Sequence, residues 1–320
     1  MRYRMTICRK CVENMEKKPL ILEIKGNSLD DGPGIRTVIF CKGCPLSCLW
    51  CHNPESKRTW PEISFDTELC VGCKTCIETC ASQAVSFDNP FLVDRSRCSL
   101  CYACTDNCPS GALSRVGIEM TAGQIVEKVM KDKPFFDASH GGVTLSGGEP
   151  TMYMEFVSGL LKEFKGAGVH TLLETCGQFD WNNFKEYILP YADMIFIDIK
   201  LFDTALHKQY CGVGNELILS NFIKLNQMAT EGALQLTPRI PLIPYITATE
   251  KNLREIAKFL IENEAFRVQL LPNNPLWHQK CKKLGLESPL QGRDYLQKWL
   301  PREEVQKCEE IIKEFGISLV

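Results

Sequence analysis

Two cysteine runs with identical spacing constrain this chain more than any other feature of its sequence. The first run is CVGCKTCIETC and the second is CSLCYACTDNCP, and both follow the pattern C-x2-C-x2-C-x3-C. The flanks repeat as well, because ISFDTELC leads into the first run and FLVDRSRC leads into the second. This internal repeat predicts a small module of two similar halves, which we place at residues 62–116.

The spacing within each run is typical of 4Fe–4S ligation. Three thiolates this close together can reach three corners of one cube, and in two-cluster bacterial ferredoxins the fourth cysteine of each run ligates the other cluster. A zinc ribbon is the alternative interpretation of such closely spaced thiols. The pattern predicts one cluster on Cys70, Cys73, Cys76 and Cys108, and a second cluster on Cys98, Cys101, Cys104 and Cys80.

The remaining composition indicates where these thiols are kept. The chain has 18 cysteines in 320 residues, and its start, MRYRMTICRKCVENMEKKPL, lacks the apolar core of a signal peptide. No apolar run reaches the roughly 20 residues that a membrane span needs. Because disulfides are rare in the cytoplasm, we expect a cytoplasmic, metal-binding chain without membrane association. Its net charge of −2 gives no electrostatic case for a nucleic-acid partner.

A third cysteine-rich stretch, CKGCPLSCLWCHNPES at residues 41–56, does not follow the ferredoxin spacing. Its core is Cys44-x3-Cys48-x2-Cys51. Three thiolates on a four-iron cube leave one iron without a protein ligand, and that open position can take a substrate. The alternative is a closed site in which Cys41 or His52 supplies the fourth ligand.

The rest of the chain alternates predicted strands and helices. Thr121 and Gln124 form a predicted capping box, and Leu253, Ile256, Ala257, Leu260 and Ile261 follow the period of an amphipathic helix. The predicted strands are 37–42, 142–146, 169–174, 194–199, 234–240 and 267–271. Six such units predict an α/β fold, a partial (β/α)6 TIM-like barrel with the two-cluster ferredoxin domain inserted.

This organisation divides the chain into an N-terminal tail, a barrel and an insert. We place the tail at 1–19, the barrel at 20–61 and 117–320, and the insert at 62–116. The pair Cys8-x2-Cys11 in the tail is predicted to be two free thiols, the alternative being a labile zinc or iron site shared with another chain. Cys176, Cys211, Cys281 and Cys308 are each predicted to be core or surface residues.

Polar motifs follow the first four predicted strands, where barrel enzymes gather their chemistry. Cys44 follows the first strand, Gly147 the second, Glu174 ends the third and Lys200 ends the fourth. In SGGEP, residues 146–150, two glycines permit a close approach of the backbone to a ligand. An ammonium group of that ligand could then donate hydrogen bonds to the backbone carbonyls. A simple strand-to-helix turn is the alternative.

The spacing C-x3-C-x2-C with an aromatic residue before the third cysteine resembles the radical S-adenosylmethionine (SAM) superfamily. The longer stretch DDGPGIRTVIFCKGCPLSCLWCHNPES resembles the signature of glycyl radical enzyme activating enzymes. Further segments occur in the order of that family, and the resemblance extends from about residue 20 over nearly the whole chain. These segments are GGVTLSGGEPTM (141–152), LLETCG (172–177), FIDIK (196–200), CGVGNE (211–216) and LLPNNPLWHQKCKKLG (270–285).

The resemblance implies a radical SAM oxidoreductase that works anaerobically. Such an enzyme cleaves SAM reductively at a 4Fe–4S cluster, and the resulting 5′-deoxyadenosyl radical removes hydrogen from a backbone glycine of a partner glycyl radical enzyme. A flavodoxin or ferredoxin would supply electrons to three 4Fe–4S clusters. The alternatives are a radical SAM enzyme acting on another peptide or a small molecule, and an electron-transfer ferredoxin fused to a degenerate barrel.

The resemblance also implies site residues. Cys44, Cys48 and Cys51 would hold the SAM cluster, and Lys200 would share in catalysis. A monovalent cation, Na⁺ or K⁺, would bind Glu174, Thr175, the Phe196 carbonyl and Asp198. The implied SAM contacts are Trp50, Cys51, His52, Gly147, Gly148, Glu149, Asp198, Ile199, Lys200, Arg239 and Asn274.

Four residues qualify these implied roles. The family often has aspartate where this chain has Glu174, and it commonly has LPYH where this chain has LPNN, so Asn274 replaces a histidine. Asparagine still forms hydrogen bonds but does not titrate near neutral pH, which predicts altered packing around SAM and retained activity. For Asp198 and Lys200, an ion pair at the strand end is the alternative to SAM binding.

Overall fold

The fold is built on one large sheet and one small sheet. The structure is a computed structural model that describes residues 18–287, 290 and 292–320. The strands of the large sheet are β1 (Leu20–Ser28), β2 (Arg36–Lys42), β5 (Gly142–Gly147), β6 (His170–Thr175), β7 (Met194–Asp198), β8 (Gln235–Leu242), β9 (Arg267–Pro272) and β10 (Ser318–Leu319). The small sheet contains β3 (Glu62–Phe65) and β4 (Leu113–Val116).

The large sheet has the strand order β1-β2-β5-β6-β7-β8-β9-β10. All neighbouring strands from β2 to β10 are parallel, and β1 pairs antiparallel with β2 at one edge. The six predicted strands are confirmed as β2 and β5 to β9, with ends that differ by one or two residues. The edge strands β1 and β10 were not among the predicted strands.

Helices connect most of the parallel strands. Both helix signals are confirmed: Thr121 Oγ1 accepts from Gln124 N at 3.2 Å, and Gln124 Oε1 accepts from Thr121 N at 2.9 Å. The apolar face of 250–262 is buried against the core. The helices are α1 (Thr75–Glu78), α2 (Ala103–Asp106), α3 (Ala122–Val129), α4 (Lys133–Ser139), α5 (Met154–Gly166), α6 (Trp181–Tyr187), α7 (Thr204–Cys211), α8 (Glu216–Thr230), α9 (Glu250–Glu262), α10 (Trp277–Lys283) and α11 (Arg302–Lys313).

The buried apolar side chains form three separate cores. The largest lies between the main sheet and its helices, and a second lies beneath the loop that contains Cys48 and Trp50. The third is the small core of the segment between β3 and β4, where Ile63, Leu92 and Leu113 pack among the cysteines. Among the helices of the described residues, none is long and apolar enough to cross a bilayer.

A buried ion pair joins the small sheet to the large one. Lys42 ends β2 and Glu62 begins β3, and Lys42 Nζ lies 2.9 Å from Glu62 Oε2 with both side chains almost fully buried. Arg58 and Arg95 bind the other oxygen of the same carboxylate, at 2.6 and 3.1 Å. Glu62 therefore ties together the end of a barrel strand and the first strand of the cysteine-rich segment.

Candidate active site

The predicted site residues meet at one end of the main sheet. The three-cysteine loop follows β2, the SGGEP turn follows β5, and Cys176 follows β6. Asp198 ends β7, and the residue paired with it on β8 is Arg239. Because these strands are parallel, their carboxyl ends lie at the same edge, which is where barrel enzymes place their reactive groups.

The loop with Cys44, Cys48 and Cys51 is held by backbone hydrogen bonds at both ends. Gly43 N donates to Ser56 O at 2.6 Å, and Ser47 N donates to Cys211 O at 2.8 Å. Lys57 Nζ donates to the carbonyl of Cys48 at 2.6 Å. All cysteines that the structure describes are free thiols, so the three sulfur atoms of this loop are available as ligands.

Two further thiols lie against this loop, and the sequence analysis missed them. Cys176 forms a side-chain hydrogen bond with Cys44, and Cys211 forms one with Cys48. The hydrogen bond with Cys211 lowers the pKa of the Cys48 thiol, which favours the thiolate form that binds iron. A signal was available for Cys176, which follows β6 directly, but not for Cys211, which lies at the end of α7.

The structure argues against Cys41 as a fourth ligand. Its side chain is fully buried in the main core, and burial raises the pKa of its thiol to about 12. His52 was the other candidate, and its Nε2 accepts the backbone N–H of Asn274 at 3.4 Å. Within the described residues, no three His, Cys, Asp or Glu side chains converge as a ligand group for a single metal ion, which a zinc site requires.

The two glycines of SGGEP serve the packing of the site. Gly147 has a φ of +115°, and a Cβ there would lie 2.3 Å from the Cys41 backbone. A Cβ on Gly148 would lie 2.1 Å from the carbonyl oxygen of Gly43. The glycines therefore have a role that was not predicted: without side chains, they allow close packing against the backbone of Cys41 and Gly43, which leads into the cysteine loop.

The Glu149 carboxylate is buried and accepts hydrogen bonds from neighbouring residues. It accepts from the hydroxyls of Thr151 and Thr175 at 2.7 and 2.9 Å, and from the backbone N–H of Cys176 at 2.6 Å. Its own backbone N–H donates to Gly43 O at 2.8 Å. Glu149 thus fixes the turn after β5 to the turn after β6, and its Oε2 accepts a single hydrogen bond, from Cys176 N.

Four charged side chains form a continuous chain beside the loop. Arg239 Nη1 lies 2.6 Å from Glu174 Oε1, and Arg239 Nε lies 3.0 Å from Asp198 Oδ1. Lys200 Nζ lies 2.7 Å from Asp198 Oδ2, which is the ion pair that the sequence left as an alternative. Burial works to raise the pKa of Asp198, but Lys200 and Arg239 outweigh it and lower that pKa to about 2.

The residues implied as SAM contacts differ in how far they are buried. The Trp50 ring is buried, with its centroid 6.2 Å from that of Tyr210. His52 and Asn274 lie together at the surface through their shared hydrogen bond. The Ile199 side chain belongs to the main core, and its N–H donates to Arg239 O at 2.8 Å, so only its backbone borders the charged chain.

The cysteines of the insert fall into two groups. Cys70, Cys73, Cys76 and Cys108 line one small cavity. In the second group, burial and then the neighbouring charges of Cys98, Cys80 and Cys101 raise the pKa of Cys104 to about 11. The fourth cysteine of each run therefore lies beside the first three cysteines of the other run. Cys8 and Cys11 lie outside the described residues.

Comparisons with known proteins match both cysteine-rich regions. Residues 69–112 match a 4Fe-4S dicluster domain, and residues 30–88 and 94–214 match a 4Fe-4S single cluster domain. The chain is 37% identical to the isethionate sulfite-lyase activating enzyme of Oleidesulfovibrio alaskensis, over 87% of this chain and 91% of that protein. It is 35% identical to the choline trimethylamine-lyase activating enzyme of the same organism, over 96% of this chain and 99% of that protein.

A solved structure supports the fold alone. The crystal structure of a radical SAM methyltransferase from Sphaerobacter thermophilus superposes with a TM-score of 0.51 at 14% identity. The superposition covers 94% of this chain and 76% of that one.

Proposed function

The chain belongs to the glycyl radical enzyme activating enzymes, and we propose how its own residues carry out that activity. When bound, the SAM cluster supplies one electron that divides SAM into methionine and a 5′-deoxyadenosyl radical, which takes a hydrogen atom from a backbone glycine of the partner enzyme. We assign the cluster to Cys44, Cys48 and Cys51. The observation that carries this assignment is a loop of three free thiols, fixed at the carboxyl ends of parallel strands.

The residues around the loop fit this cluster. Three thiols leave one iron of a four-iron cube without a protein ligand, and that iron would take the amino and carboxylate groups of SAM. Cys41 points into the core, so it does not compete for that position. Lys57 and the backbone of α7 hold the loop, and the apolar residues packed against it shield that side from water.

The SAM pocket is proposed to lie between the loop and the charged chain. Trp50, His52 and Asn274 would border SAM on the loop side, and the backbone of Gly147, Gly148 and Ile199 would border it on the sheet side. Arg239 Nη2 takes no part in the contacts with Glu174 and Asp198, so it is suited to bind the SAM carboxylate. Lys200 and Asp198 would orient the bound molecule rather than react with it.

The insert is proposed to hold two further 4Fe–4S clusters in the two groups of cysteines. Cys73 and Cys101 are exposed, so each cluster would come close to the surface on one side. A reduced flavodoxin or ferredoxin could deliver electrons there, and the insert would pass them to the SAM cluster. The crossed grouping of Cys108 and Cys80 supports this assignment.

The architecture is proposed to be a partial (β/α)6 barrel that carries this insert. Six consecutive parallel strands, β2 and β5 to β9, support it, as does the open sheet whose edge strands β1 and β10 are not neighbours. The antiparallel pairing of Glu62 with Val116 supports an insert at about 62–116. A laterally open barrel leaves room for a glycine-bearing loop of the partner to reach the site.

Anaerobic reconstitution with iron and sulfide tests the proposal. With SAM and a reductant, the protein should form methionine and 5′-deoxyadenosine in equal amounts. With isethionate sulfite-lyase or choline trimethylamine-lyase as trial partners, electron paramagnetic resonance should show a glycyl radical on one of them. Deoxyadenosine without a radical on any glycyl radical enzyme would favour a different peptide or small-molecule substrate. Failure to cleave SAM would favour an electron-transfer protein.

A further inference from the structure

The set of residues implied for a monovalent cation does not fit one in this structure. Cation ligands need oxygen atoms with free lone pairs directed at one point. The Thr175 hydroxyl instead donates to Glu149 and accepts from Gly177 N at 3.0 Å. Glu174 Oε2 accepts from the Ser146 hydroxyl at 2.5 Å, and Glu174 Oε1 accepts from Arg239.

A guanidinium group already bridges the two carboxylates of the set. Arg239 contacts Glu174 and Asp198, which are the two charged members of the set, and its Cζ is 5.0 Å from the centre of the Phe196 ring. Asp198 has its second oxygen bound by Lys200. Two carboxylates thus face two cationic side chains, so Glu174 and Asp198 are already paired without an added ion.

The length of the Glu174 side chain explains its contact with Arg239. Glutamate is one methylene longer than aspartate, so its carboxylate reaches from the end of β6 across β7 to the side chain of Arg239 on β8. A metal ion bound at the same carboxylates would add a positive charge next to Arg239 and Lys200, and SAM brings a further positive charge on its sulfur. Like charges in a poorly solvated site repel each other strongly.

We propose that Arg239 takes the place of a monovalent cation in this enzyme, so that SAM binding requires neither Na⁺ nor K⁺. This inference rests on the proposed SAM site. Arg239 is a positioning residue in this role: it holds Glu174 and Asp198 at a fixed separation and leaves Nη2 for the SAM carboxylate. The guanidinium is always charged, so Arg239 keeps its positive charge at every working pH.

The first experiment uses wild-type protein and no substitution. Anaerobic titration calorimetry of the reconstituted enzyme with SAM, in NaCl, KCl or choline chloride at equal ionic strength, should give dissociation constants within about twofold of each other. A gain of about fivefold or more in Na⁺ or K⁺ over choline would overturn the proposal. No SAM binding in any salt would contradict the proposed SAM site instead.

The second experiment measures cation binding through the melting temperature, in protein that contains neither SAM nor clusters. A bound ion raises the melting temperature of a protein by mass action. The metal-free wild-type protein should therefore melt at the same temperature in NaCl, KCl and choline chloride. Arg239→Met should gain a Na⁺- or K⁺-specific rise in melting temperature, because it leaves two carboxylates without their shared cation.

Two further variants complete this test. Glu174→Asp withdraws the carboxylate from Arg239 and should gain a smaller cation-specific rise, and it provides the measurement if Arg239→Met does not fold. Arg254→Met is the matched control, since Arg254 also bridges two carboxylates, Glu250 and Glu314, but on the surface. A cation-specific rise in wild type equal to that in the variants would contradict the proposal.

Discussion

The two cysteine-rich regions differ in how much of each is open to solvent. In the barrel loop, Cys48 is buried and Trp50 covers the apolar core beneath it. In the insert, Cys73 and Cys101 are exposed, and Leu69 and Val71 beside the first run are more than half exposed. The same kind of ligand thus lies in two very different surroundings.

This difference in solvent exposure agrees with the function proposed for each region. A carbon radical must be kept from water and side reactions, which a closed loop on a rigid sheet can achieve. A relay must instead let another protein approach its clusters, and solvent exposure is one of the factors that set cluster potentials. The comparison teaches that cysteine spacing identifies the cluster type, whereas the surrounding fold decides which step the cluster serves.

The largest expected effect comes from the buried region. Cys48→Ser should abolish formation of 5′-deoxyadenosine and of the partner's glycyl radical, because the cluster loses one of only three ligands. Iron content should fall from about twelve to about eight atoms per chain, since the insert keeps its clusters. Product chromatography and iron analysis of the reconstituted variant measure this.

The matched control for this change is Cys308→Ala, which alters a buried cysteine of the main core on α11. It should keep both SAM cleavage and the full iron content. Retained cleavage in Cys48→Ser would mean that another thiol, such as Cys176 or Cys211, supplies the third ligand.

The second largest expected effect concerns the ion pairs of Glu62, which connect the barrel to the insert. Glu62→Gln removes the carboxylate that Lys42, Arg58 and Arg95 share. Breaking a buried ion pair from one side leaves an unpaired buried charge, which costs about 3–5 kcal/mol of unfolding free energy. Urea unfolding of the metal-free protein measures the loss, and Glu304→Gln, which breaks an exposed pair with Lys307, is the control. A loss below about 1 kcal/mol would mean that the insert is not held by this contact.

Much of this architecture was predictable from local patterns. The β-branched runs of β5 and β7 and the periodic apolar face of α9 each depend on residues close in sequence, and all three predictions are confirmed. The edge strand β1 was not predicted because LILEIKGNS, although it alternates apolar and polar residues at the strand period, contains glycine and asparagine, which disfavour strands.

The candidate site was less predictable because its contacts join distant parts of the chain. Cys211 lies against Cys48 only because α7 packs beside the loop, and no local spacing signals that contact. The bond between Arg239 and Glu174 spans two strands of the sheet. The resemblance suggested the right residues there, but their partners depend on side-chain length and on neighbours that only the folded structure brings together.

The third effect tests the exposed region. Cys73→Ser and Cys101→Ser should each remove one cluster of the insert while the SAM cluster remains. SAM cleavage driven by reduced flavodoxin should slow by roughly tenfold, which corresponds to about 1.4 kcal/mol on the barrier. Cleavage driven by a small chemical reductant should change little, because such a reductant reaches the SAM cluster directly. Equal slowing with both reductants would contradict a relay through the insert.

The smallest effect concerns an ion pair on the outer face of the insert. Arg115 Nη2 binds both oxygens of Asp106, at 2.7 and 2.6 Å, and its guanidinium lies 4.4 Å from the centre of the Tyr102 ring. This geometry is as good as that of the Glu62 pair, but both side chains are about half exposed, so water already solvates the charges. Asp106→Asn should therefore lower the unfolding free energy much less than Glu62→Gln does, and less still at high salt.

The same urea measurement, repeated at two salt concentrations, compares the two ion pairs directly. A ratio near one between the losses from Glu62→Gln and Asp106→Asn would mean that burial does not distinguish the inner and outer faces of the insert. A loss several times larger for Glu62→Gln, independent of salt, would place the mechanical connection at Lys42, directly before the loop that contains Cys44. The insert would then be fixed to the catalytic loop on one face and left free on the other for an electron donor.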